Sequence, residues 1–288
     1  MKILTQKWFL YAAITTIFWG VWGAFIEIPE KAGFPATLGY VVWSITLIPC
    51  SIISLALINW KLEYNIRSIV IGSLIGILGA GGQLLLFEAL REGPAYLVFP
   101  FISLFPIFTI LLSFIFLKEK ASKRQWLGIV IALLAIFLLS WQPNQKSSFE
   151  GTTWIFLSLI VFAMWGAQAF VMKFANDTMK AESIFFYMTI TALLLVPIAL
   201  LMTDFTSPIN WGVKGPYLAF IVHVLNAVGA LTLVYALRYG KAIVVVPMTG
   251  LSPIITVVIS LIIYAVIPGP SILIGVAAAL VSIYFLSE

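Results

Sequence analysis

A chain of 288 residues that is 62% hydrophobic, 9% charged and carries a formal net charge of +5 lies outside the composition of soluble domains, where about a quarter of residues are charged. Its basic residues stand singly between apolar runs except for Lys118, Lys120, Lys123 and Arg124, which fits a cytoplasmic membrane flank and gives no nucleic-acid-binding surface. The lone cysteine, Cys50, and the lone histidine, His223, exclude an intrachain disulfide and a clustered His/Cys metal site.

Lys2 and Lys7 precede the first apolar run without a small-residue cleavage site, so the N-terminus reads as a span that is kept. About 20 apolar residues cross the hydrocarbon of a bilayer, and they do so as helices because only internal hydrogen bonds satisfy the backbone there. Ten such runs follow one another, at 8–28, 37–58, 67–90, 94–117, 124–141, 152–175, 182–202, 216–237, 241–267 and 270–286. The loops between them are short and marked by Pro, Gly, Asn and Asp, as in Gln142-Pro143-Asn144 and Ser207-Pro208-Ile209-Asn210. With the N-terminus inside, 12 of the 16 Lys and Arg residues fall on the inner face. The expected fold is therefore an all-α polytopic membrane protein with ten transmembrane helices and both termini cytoplasmic.

Residues 89–113 are written again at 236–260, with 12 identities in 25 positions at an offset of 147. The shared positions include Arg91 and Arg238, Gly93 and Gly240, Pro100 and Pro247, and Pro106 and Pro253. Trp19-Gly20 answers to Trp165-Gly166 at an offset of 146, and Gly128 to Gly275 at 147. The chain thus divides into residues 1–142 and 151–288, two five-helix repeats that together form one transport domain. Five is odd, so the second copy enters the bilayer from the opposite side: a 5+5 inverted repeat, a recurrent architecture of secondary transporters.

The paired WG dipeptides, the AL-R-x-G turn closing the third span and the proline pair in the fourth carry a family signal. So does Glu119, which ends the fourth span before the glycine-bearing fifth. In these features the chain resembles the EamA-type members of the drug/metabolite transporter superfamily. The resemblance implies carriage of amino acids or related metabolites, often outward, across a cytoplasmic (inner) membrane, with sugars or nucleoside-like solutes as the alternative. One departure is Val266, which stands in the second half where Glu119 would repeat.

Candidate site residues follow from polar groups inside spans. Gly72, Gly76 and Gly79 give the third span a smooth face, suited to close helix packing. The eighth span, its repeat partner, has His223 and Asn226 where Gly76 and Gly79 stand. If the two stripes face each other, Gln83, His223 and Asn226 converge near the midplane, and Gln168 adds a fourth polar group. Trp19, Trp22, Trp43 and Trp165 lie deeper than the interfacial Trp8, Trp60, Trp141 and Trp211, and Trp19 joins the candidate substrate-binding set. Should a proton be coupled, His223 and Glu88 are the candidates, although Glu88 stands one turn from Arg91, where the two can neutralise each other. Glu27 and Lys173, repeat partners, are expected at opposite interfaces. Pro100, Pro106, Pro247 and Pro253 remove backbone donors at matching places and are the expected hinges.

Neither HExxH, GxSxG nor paired aspartates occur within spans, and no ring of charges marks a channel, so neither an enzyme nor a pore is expected. No cofactor is expected. The partners are a small-molecule solute and the lipid bilayer, while a homodimer is compatible with the sequence.

Overall fold

The computed structural model describes residues 6–92, 95–140, 152–264 and 269–287. The described residues form helices and turns without a strand. The first part of the chain holds α1 (Lys7–Phe25), α2 (Glu27–Lys31), α3 (Ala36–Leu57), α4 (Ile66–Gly76), α5 (Gly82–Glu92), α6 (Ala95–Ser103), α7 (Phe105–Phe116) and α8 (Lys123–Ser140). The second holds α9 (Thr153–Asn176), α10 (Ala181–Leu194), α11 (Val196–Leu201), α12 (Leu218–Tyr239), α13 (Ala242–Thr249), α14 (Pro253–Tyr264) and α15 (Pro270–Ser287). Among the described residues eight helices are long and apolar enough to cross a membrane, and a shorter apolar one covers Phe101–Phe116. The chain is a multi-pass membrane protein.

Three runs that read as uninterrupted in the sequence are not regular helices. Between α4 and α5 the third span widens into a π-helical turn, Ile77–Gly81, without losing its course. Such turns are rare and concentrate at functional sites. The fourth run is broken at Leu104, between α6 and α7. The ninth is broken at residues 250–252, between α13 and α14. Pro106 lies in the first turn of α7, and Pro253 begins α14, positions where a missing N–H costs least. Pro100 and Pro247 lie inside α6 and α13. Residues 142–144, Trp141, Gly93 and Val266 lie outside the described residues.

Small residues let the helices meet. Gly128 on α8 faces Phe285 and Leu286, and Gly275 on α15 faces Leu138 and Leu139, each so closely that a Cβ would come within about 3 Å of them. On the other side α1 lies along α12, where the Thr15 hydroxyl is 2.8 Å from that of Thr232 and 3.2 Å from Gly229 O. Helix ends are clipped between the two halves of the chain. The Glu63 carboxylate accepts from Lys180 N (2.9 Å), and Asn210 N–H donates to Gly33 O (3.0 Å), while the Asn210 amide donates to Ala32 O (2.9 Å).

Candidate functional site

The broken helices and the π turn border one cavity of about 370 Å³, within the range of sites for small organic molecules. Its walls are the indoles of Trp19 and Trp22 on α1, Trp43 on α3 and Trp165 on α9, with Phe99 and Phe105 beside the first break. Gly76 precedes the π turn and Gly79 lies within it, while Gly250 and Ser252 lie in the second break between Thr249 and Pro253. Gln83, Gln168 and Asn226 supply the amides. Among the described residues no Asp, Glu, Lys, Arg or His lines it.

All four indole N–H groups are already bound. Trp19 donates to Asn226 O (3.3 Å), Trp165 to Gly79 O (3.2 Å), Trp43 to Asn226 Oδ1 (2.8 Å) and Trp22 to His223 Nδ1 (3.2 Å). With its donor tied down, each ring is fixed and turns an apolar face to the cavity. The amides are the reverse: Gln83 and Gln168 make no hydrogen bond to another described residue, and Asn226 keeps its NH2 unused. Glycine makes the room. A Cβ at Gly79 would fall 2.1 Å from Gln168 Nε2, one at Gly82 2.6 Å from Trp165 Nε1, and one at Gly229 2.4 Å from Trp19 Cδ1.

The structure brings four of the five expected ligand-contacting residues to this cavity: Trp19, Gln83, Gln168 and Asn226. His223 is not on its wall. It is 5% exposed, behind Trp22, because its position on α12 turns it towards α1 and α3 while Asn226 one turn later faces the cavity. Glu88 is also elsewhere, at the surface end of α5 and paired with Arg91 at 2.9 Å. Glu27 pairs with Lys31 at an exposed end, and Lys173 donates to Leu237 O (3.1 Å). Trp22 and Trp43 were legible as deep aromatics, but nothing in their spacing marked them as cavity walls.

Residues 6–141 and 152–288 each match the EamA-like transporter family. The chain belongs to that family. It resembles Protein LicB of Haemophilus influenzae, 24% identical over 188 residues that span 63% of this chain and 63% of LicB. An uncharacterized protein of Methanocaldococcus jannaschii is 33% identical over 127 residues, 44% of this chain but 91% of the relative. The probable 4-amino-4-deoxy-L-arabinose-phosphoundecaprenol flippase subunit ArnE of Hamiltonella defensa is 35% identical over 81 residues, 28% of this chain and 73% of ArnE. One solved crystal structure superposes with a TM-score of 0.79 over 97% of this chain and 95% of its own, at 14% identity, a likeness of fold.

Away from the cavity wall, a carboxylate of the EamA-like chain caps the start of α13. Lys118 takes a left-handed turn (φ 52) after α7, and Glu119 N–H returns to Ser113 O at 3.2 Å. This aims the Glu119 side chain at the start of α13, where it accepts from Ala242 N and Ile243 N, both at 3.1 Å, while Lys241 Nζ donates to Lys120 O. Burial pushes the Glu119 pKa above the usual carboxylate range, with the two N–H groups, Lys173 and Lys241 acting against it. The folded chain therefore holds this proton to higher pH than the unfolded one, and the group's contribution to stability falls as pH rises through that window. Replacing Glu119 with Ala leaves two N–H groups of α13 without their acceptor and should cost about 1–2 kcal/mol. Thermal denaturation in detergent checks this, with Glu119→Gln, which keeps one acceptor, expected between the two.

Proposed function

We propose that this EamA-like protein is a secondary carrier that moves a small organic metabolite by alternating access, with the tryptophan-lined cavity as its binding site. In this reading the ten apolar runs are ten spans, residues 1–142 and 151–288 are inverted copies, and both termini face the cytoplasm at the inner membrane. The observation that carries it is a set of matched contacts around one cavity. Trp19 donates to Asn226 O as Trp165 donates to Gly79 O, and Thr256 donates to Gly20 O (2.8 Å) as Thr109 donates to Gly166 O (2.9 Å). Each partner is related by an offset of 146 or 147. The Methanocaldococcus relative, almost all of which is matched by less than half of this chain, supports the half as a unit.

Matching positions on α6 and α13 are not equally exposed, as one state of a two-state carrier requires. Val246 and Met248 on α13 are 1% and 3% exposed, whereas Phe99 and Phe101, at the corresponding places on α6, are 46% and 39% exposed. The solute is an amino acid or related compound moved outward, with sugars and nucleosides as the rival classes. The free amides of Gln83, Gln168 and Asn226 support it, since together they offer donors and acceptors to both ends of a zwitterion. Among the described residues the lining arranges no nucleophile, base and acid for catalysis.

Counterflow in liposomes tests the reading. Trans-acceleration of a 14C-labelled amino-acid mixture by unlabelled mixture is expected, against none for sugar or nucleoside mixtures. Linear, non-saturating flux would contradict a carrier. Replacing Pro106 and Pro253 with Ala removes the ring that bars each helix from continuing through its break and lets a backbone hydrogen bond close across it, worth about 1 kcal/mol apiece. Maximal exchange should then slow about fivefold per site with the half-saturating concentration unchanged. A change in that concentration alone would contradict the hinge assignment.

A further inference from the structure

Trp22 is the one cavity indole whose N–H is held by a titratable group. Its acceptor is Nδ1 of His223, at 3.2 Å, with the two rings inclined at 46°. A nitrogen that accepts carries no proton, so the neutral imidazole bears its hydrogen on Nε2. Nε2 is buried without a partner among the described residues, and its edge backs onto Gly39. A second proton can therefore enter only at Nδ1. There it would set N–H against N–H, and the bond that holds Trp22 would break.

We propose that His223 is the positioning residue that couples this carrier to protons through Trp22: a proton on His223 and a solute packed against Trp22 exclude one another. Mutual exclusion at one carrier is the condition for antiport, so inward protons would drive outward solute. This rests on the carrier reading above. The step balances simply, because one proton from water adds to the Nδ1 lone pair, the imidazole becomes imidazolium, and the indole N–H is released intact to rotate out of the wall.

Among the described residues, the charges on the packed elements are held elsewhere and leave the ring as the titrating group there. α3, against which it packs, has no Asp, Glu, Lys or Arg between its ends. On α1, Lys7 lies over the Tyr239 ring at the far end, and Glu27 beyond its last turn is paired with Lys31. On α12, Arg238 donates to Met179 O, and Lys214 lies in the turn before that helix. From α9 Lys173 is bound to Leu237 O, and from α10 Glu182 to Tyr235. α13 has no charged residue.

His223 is the sole histidine, so a 15N-histidine-labelled chain in nanodiscs gives one pair of ring signals. At pH 8 the wild type should show Nδ1 bare and Nε2 protonated, and Trp22→Phe, which removes the donor, should show a mixture of both tautomers. In liposomes without a pH gradient, exchange of the 14C-labelled amino-acid mixture should fall about tenfold from pH 8 to pH 4.5 in the wild type, because a buried imidazole resists a second proton. In His223→Gln, which offers Trp22 an oxygen and does not titrate, the same profile should vary less than about twofold at whatever level it runs. Nδ1 protonated in the wild type at pH 8, or an unchanged profile in His223→Gln, would overturn the proposal while leaving the carrier intact. Absence of exchange in every protein would instead sink the carrier reading, and the ring signals, which need no solute, would still decide the bond.

Discussion

Alanine at position 226 is expected to slow exchange about tenfold or more. Asn226 is used twice in the cavity, its backbone oxygen fixing Trp19 and its side-chain oxygen fixing Trp43 at 2.8 Å. Alanine preserves the first bond and removes the second, leaving the half-buried Trp43 N–H in the cavity wall without an acceptor. Such a group costs about 1–3 kcal/mol, and 1.4 kcal/mol is a factor of ten. It also removes the free NH2 from the lining. Trp43→Phe takes away the donor instead, so the double variant should be little worse than Asn226→Ala alone, a non-additivity that a double-mutant cycle of exchange rates measures directly.

The second large effect belongs to the glycines of the two WG pairs. A Cβ at Gly20 would lie 2.4 Å from Ile255 Cβ and 2.7 Å from Ser252 O, and one at Gly166 would lie 2.7 Å from Phe108 Cβ and 2.9 Å from Phe105 O. Backbone atoms and Cβ positions cannot swing aside, so the broken helix must move away from its neighbour. Overpacking of this kind costs about 1–3 kcal/mol, and here it also disturbs the bonds from Thr256 and Thr109 that tether each break. Gly20→Ala and Gly166→Ala should each lower the melting temperature and abolish most exchange. Gly269→Ala, where a Cβ meets nothing within 4 Å, should change neither.

Why these glycines matter was half legible in the sequence. Their recurrence beside tryptophan at matching places marked them as paired, and the prolines at 106 and 253 marked the helices they touch. Composition and run length gave the helical membrane fold, because the bilayer leaves the backbone no other option. The prolines mark the fourth and ninth helices as hinges but not the breaks at Leu104 and residues 250–252, since a proline shows where a donor is missing but not which carbonyl goes unbonded. The π turn left no signal beyond a glycine cluster. That His223 stands behind Trp22 is not legible, because helical spacing puts it on a stripe with Asn226 but does not fix how that stripe is rotated against α1. The partner of Glu119 was not legible at all, since it is a pair of backbone N–H groups 123 and 124 residues away.

The most direct test of two halves set upside down about one cavity is the sidedness of Glu63 and Asn210, which occupy the same place in each half at an offset of 147. With Cys50 replaced by Ser, a single cysteine at 63 or at 210 would be probed in intact cells with a membrane-impermeant maleimide. Labelling of the cysteine at 210 and protection of the one at 63 until the membrane is opened is the predicted result; labelling of both from the same side would contradict the account.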